Sequence, residues 1–135
     1  MSVKMITATN ALPALLMLVA IVSFINLYTG EISAQTQIKA SIVPGASTMG
    51  DKAFSPNPLN IKVGDSVTWT NDDSTVHTVT SGTGPTDLNM GKEFDSGLKT
   101  LMSPGDTFSF TFSKTGEFPY YCAVHPTMVG TIIVS

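Results

Sequence analysis

Arginine is absent from this 135-residue chain: all seven basic residues are lysines, set against ten acidic residues for a formal net charge of −3. Without arginine there is no planar fork for base edges or phosphate pairs. The scattered lysines form no basic stripe either, so nucleic acid is excluded as a partner. No glycine-rich phosphate-binding loop of either common spacing occurs, which removes nucleotide chemistry. Cysteine occurs once, at position 122, so no intrachain disulfide can form. Histidine occurs only twice, at 77 and 125. Sustained helical periodicity is missing beyond residue 34, which excludes a helical bundle for the folded part. That part, about 100 residues long, is large enough to bury a core without cross-links. Its charge balance is too slight to name a basic partner.

The one long apolar run lies at the beginning. Lys4 precedes a mostly apolar stretch over 11–28, followed by polar Thr29-Gly30-Glu31 and small residues at Ser33-Ala34. This pattern reads as a secretory signal peptide cleaved after Ala34. A retained N-terminal membrane anchor through 11–28 is the rival, since the run approaches the ~20 residues that span a bilayer. A buried core helix is the third reading. Both favoured readings divide the chain into 1–34 and a domain over 35–135. They place that domain outside the cytoplasm, periplasmic or on the outer face of the cytoplasmic membrane.

From residue 37 the pattern is all-β, with short alternating segments punctuated by Gly, Pro, Asn and Asp. Strands are expected over 38–43, 76–80, 107–113, 118–122 and 130–134, with Lys114-Thr115-Gly116 as a turn and a short edge strand over 93–96. Leu59, Ile61 and Val63, then Val67 and Trp69 across Gly64-Asp65, read as a hairpin. The prolines at 56 and 58 make 54–58 an extended connection. Phe108, Phe110 and Phe112 share one face of the clearest strand. Phe118, Tyr120 and Cys122 share an inward face, with Tyr121 on the opposite one. Seven or eight short strands favour a β-sandwich.

Chemistry concentrates in Cys122-Ala123-Val124-His125-Pro126-Thr127-Met128, where donors recur every third residue. Thiolate, imidazole and thioether together suit copper, with soft sulfur holding Cu(I) and imidazole accepting Cu(II). A fourth donor is missing there, and His77, where a polar loop feeds a strand, is the only other histidine. Each residue has a plainer reading: Cys122 as an inert buried thiol or an intermolecular bridge, His77 as a structural or surface histidine, Met128 as core. Met90 and Met102 read as gap fillers.

The ordered set Leu59-x-Ile61-x-Val63-Gly64-Asp65-x-Val67-x-Trp69-x-Asn71-x-Asp73, His77, Phe94-Asp95-Ser96, Pro104-Gly105, Phe110, Phe112, Gly116 and Cys122-x-x-His125-x-x-Met128-x-Gly130 resembles the cupredoxins, the blue copper proteins of the plastocyanin and amicyanin group. The short ligand loop is similar to that of amicyanin. The resemblance implies a Greek-key β-sandwich and one type 1 copper ion. His77, Cys122 and His125 would lie in a trigonal plane, with Met128 as the long axial ligand. It implies a monomeric electron carrier, not an enzyme, serving transient redox protein donors and acceptors. Copper trafficking is the alternative. Many relatives carry asparagine after the first histidine ligand, where its side chain braces the cysteine loop, and this chain has Thr78. Its amide remains able to donate to the Cys122 sulfur, while the brace itself is expected to be weaker or supplied otherwise.

Overall fold

The computed structural model describes residues 34–135. The leader or anchor expected over 1–34 lies, but for Ala34, outside them. Among the described residues no helix is long and apolar enough to cross a membrane.

Among the described residues eight strands follow in chain order: β1 (Gln37–Ile42), β2 (Phe54–Ser55), β3 (Leu59–Ile61), β4 (Ser66–Asn71), β5 (Thr80–Ser81), β6 (Thr107–Thr111), β7 (Gly116–Cys122) and β8 (His125–Val134). They form two four-stranded sheets, ordered β2-β1-β4-β6 and β3-β8-β7-β5. One core cluster draws on both sheets, so the expected β-sandwich is what forms. Trp69 sits at its centre, fully buried, stacked on Phe94 and Phe108 and edge-on to Tyr120. The alternation along 107–113 is present as read: Phe108, Phe110 and Phe112 turn to the core while Thr107, Ser109 and Thr111 face solvent.

The hairpin expected over 59–69 does not form. Its two arms lie in different sheets, β3 running parallel to β8 and β4 parallel to β1. The Gly64-Asp65 turn exists, with Gly64 at φ 95° and the Asp65 carboxylate accepting from the Lys62 amide at 2.9 Å. It carries the chain across the sandwich instead of folding it back within one sheet. Alternation had reported which side chains face inward, and partner choice is a separate matter that turn residues alone do not set. The 54–58 connection includes a two-residue strand, β2, paired with β1. The expected strands at 76–80 and 93–96 reduce to β5 and to single bridges, His77 with Met102 and Thr80 with Asp95.

Two corrections bear on the site. The final strand begins at His125, not Gly130, so only Ala123 and Val124 separate β7 from β8. Pairing then jumps from Tyr121–Val129 to Cys122–His125, leaving residues 126–128 as a bulge. Tyr121, expected on an outward face, is 1% exposed because the 82–96 segment covers it, its hydroxyl donating to Met90 Sδ at 3.2 Å.

Candidate metal centre

The 72–79 segment crosses from the first sheet to the second and carries His77. Its shape is set by side chains that replace missing ladder bonds. Asn71, at the end of β4, donates to the carbonyls of Thr75 at 2.7 Å and Met102 at 2.9 Å, and accepts from the Asp73 amide at 3.0 Å. The His77 backbone exchanges both hydrogen bonds with Met102, at 3.1 and 3.0 Å. The backbone position of His77 is therefore fixed on both sides.

The imidazole is fixed from behind. Its Nε2 lies 2.8 Å from Asp73 Oδ2, with His77 0% and Asp73 5% exposed, and 3.0 Å from the Thr75 hydroxyl. Asp73 also accepts from the Gly45 and Ser74 amides at 2.9 and 2.8 Å and from the Thr75 hydroxyl at 2.9 Å. These donors, Gly45 foremost and His77 next, outweigh the cost of burial and hold the Asp73 carboxyl well below the usual carboxylate range. An ionised carboxylate only accepts, so Nε2 carries the proton. The Nδ1 lone pair is thereby left facing the other candidates.

Those candidates come from the β7–β8 corner. Cys122 Sγ stands 3.7 Å from His77 Nδ1 and 3.8 Å from His125 Nδ1, and the two Nδ1 atoms are 3.2 Å apart. These are the edges of a triangle whose interior holds a point about 2.3 Å from the sulfur and about 2.0 Å from each nitrogen, ordinary metal–ligand distances. The donor chemistry and the spacing both fit a copper ion. Cys122 and His77 are buried, and His125 is partly exposed. Met128, three residues past His125, is 0% exposed, with its side chain in the core. The four residues singled out in the sequence thus occupy one hairpin end and the crossover above it. Three of them present ligand atoms to one another, and the fourth is buried one bulge away.

The brace on the cysteine corner comes from Thr78. Its amide donates to Cys122 Sγ at 3.3 Å, and its hydroxyl accepts from the Ala123 amide at 2.7 Å. That hydroxyl also pairs with Thr80 Oγ1 at 3.0 Å, which donates to Asp95 at 3.0 Å. Since Ala123 N–H can only donate and Asp95 accepts, the two hydroxyl protons both point away from the sulfur loop. Threonine therefore does the bracing expected of asparagine, by a different route. The sequence held a partial signal in the hydroxyls at 78 and 80, which share a face at period two. Asp73 was a missed partner, although its i,i+4 relation to His77 was visible.

A family model described as copper binding proteins, plastocyanin/azurin family, matches residues 43–135. The plastocyanin of Nostoc punctiforme is 33% identical over 132 residues, covering 90% of this chain and 89% of that one. The amicyanin of Paracoccus denitrificans is 34% identical over 77 residues, 56% of this chain and 53% of that protein. Against several curated relatives, that amicyanin among them, the chain spans less than two-thirds of their length. Among solved structures, a novel purple cupredoxin from Nitrosopumilus maritimus is 36% identical with a TM-score of 0.62, covering 73% of this chain and 99% of its own. With its sandwich, its donor triangle and these matches, the chain belongs to the plastocyanin/azurin family of copper-binding proteins.

Proposed function

We propose that the domain is a one-electron carrier working outside the cytoplasm. In this reading Nδ1 of His77, Sγ of Cys122 and Nδ1 of His125 would hold copper, with the Met128 thioether as a weaker fourth donor. The observation that carries it is the donor triangle, kept in place by protein hydrogen bonds: Asp73 and Thr75 behind His77, Thr78 beside Cys122. When bound, copper supplies a Cu(II)/Cu(I) couple. Four protein donors leave no open position for a substrate, and a corner fixed by its own hydrogen bonds changes little between oxidation states, which suits electron transfer over catalysis. The partly exposed His125 edge is the route by which redox protein partners exchange electrons with the site. Export, by a cleaved leader or a retained anchor through 11–28, rests on the reading of 1–34. The domain is taken to act as a monomer.

Adding Cu(II) to the purified 35–135 domain tests this. A one-equivalent, intense visible band, bleached by ascorbate and restored by oxidant, is expected, and Cys122→Ser should remove it. One solved relative is described as purple, so the band's presence and reversibility are the criterion, and its position reports the site's own geometry. A colourless protein that takes only Cu(I) and yields it readily to a chelator would overturn the carrier reading in favour of copper trafficking.

A further inference from the structure

The geometry points to Asp73 as the residue that sets the balance between the two copper oxidation states, acting through the His77 ring. This rests on the carrier reading above and adds to it a determinant of the potential outside the ligand set.

Asp73 divides its two oxygens between two tasks. Oδ1 accepts from the backbone amides of Gly45 and Ser74, at 2.9 and 2.8 Å, which tie the crossover loop to the turn after β1. Oδ2 faces His77 Nε2 at 2.8 Å and accepts from the Thr75 hydroxyl at 2.9 Å. The Oδ1 contacts are to backbone and shape the loop. Oδ2 adds a full negative charge directly behind a ligand ring, at a site where the histidine is completely shielded from water.

Two effects follow, and they act in the same direction. A charged acceptor on the far nitrogen draws its proton and raises the basicity of Nδ1, making the ring a stronger donor to a metal. The charge also interacts with the ion itself, across a ring that is fully buried. Each effect favours the more highly charged Cu(II) over Cu(I). The carboxylate therefore lowers the potential relative to a site whose histidine donates to a neutral carbonyl. Thr75 opposes this in part: its hydroxyl shares Oδ2 and also contacts Nε2 at 3.0 Å, diverting some of the carboxylate's acceptor strength from the ring.

The test is electrochemical, on copper-loaded wild type, Asp73→Asn and Thr75→Val. Asp73→Asn keeps a neutral acceptor for Nε2 and removes the charge. It is expected to keep the visible band and to weaken Cu(II) binding at least tenfold relative to Cu(I), a rise of about 59 mV or more for a one-electron couple. Thr75 is exposed, so its valine variant should fold, and with Oδ2 freed for His77 its potential should fall. Apo-protein stability is measured alongside. An Asp73→Asn protein that is less stable but has an unmoved potential would reduce Asp73 to a loop tie and overturn the inference. Should that variant not fold, an unmoved or raised potential in Thr75→Val overturns it instead. A wild type with no reversible couple would sink the carrier reading, a result distinguishable from either of these.

Discussion

The Thr78 hydroxyl accepts the Ala123 amide at 2.7 Å, while the amide of the same threonine donates to Cys122 Sγ at 3.3 Å. One residue on the crossover thus holds both the sulfur and the turn that follows it. Thr78→Val keeps the shape and the amide but leaves the Ala123 N–H without its partner. We expect a loss of about 1 to 2 kcal/mol in stability and a shifted, broadened visible band in the copper form. Thr78→Ser should restore both. Chemical denaturation and absorption spectra of the three proteins provide the check, and a valine variant identical to wild type would remove the brace.

Met128 is fully buried on β8. Met128→Leu conserves volume, so its stability cost should stay below about 1.5 kcal/mol. If the thioether is the axial donor, the variant keeps its colour and its potential rises, because a weak donor that favours Cu(II) has been lost. Loss of the band, or an unmoved potential, would argue against the axial assignment.

Gly130 pairs with Tyr120 across β7 and β8, and a Cβ built there would stand 2.4 Å from Tyr120 Cζ. No rotamer adjustment of a ring wedged among Phe54, Trp69 and Phe94 relieves this cheaply. Gly130→Ala should cost about 1 to 3 kcal/mol, measured by thermal or denaturant unfolding, with the visible band retained in whatever fraction folds.

Burial pushes the Tyr120 hydroxyl up to about 12, the Trp69 side chain offsetting part of the rise. The folded state thus keeps a proton that the unfolded chain releases near pH 10. The contribution is fully present below about pH 10 and is lost as pH climbs through the folded value. Neither Tyr120 Oη nor Trp69 Nε1 has a hydrogen bond of ordinary geometry. Tyr120→Phe should therefore lie within about 1 kcal/mol of wild type at neutral pH, or above it. It should also lose the latest step of the tyrosinate absorbance titration and flatten the alkaline decline in stability.

Much of this was legible in the residues, and the reason differs from place to place. The phenylalanines at 108, 110 and 112 declared a core face because side-chain direction is local information. The cysteine loop stood out by its donor chemistry, whereas His77 and Met128 each had a plainer reading and joined the set only through the resemblance. Partnering was not legible: nothing between Leu59 and Trp69 says that the two arms join different sheets, and the parallel pairings of β1 with β4 and β3 with β8 have no local signature. The burial of Tyr121 depends on a loop that passes over it, and the tautomer of His77 depends on a carboxylate four residues earlier. Both are properties of the folded arrangement, invisible to alternation.

His77 rides on the segment leaving the first sheet, while Cys122 and His125 belong to a corner of the second, Cys122 coming 45 positions after His77. An ion gripped by all three is a rivet through the sandwich, closing a loop that the polypeptide otherwise closes only by packing. A charge-transfer band arising there would then double as a gauge of whether the two layers are still docked, fading when they slide apart even if each sheet keeps its own ladders.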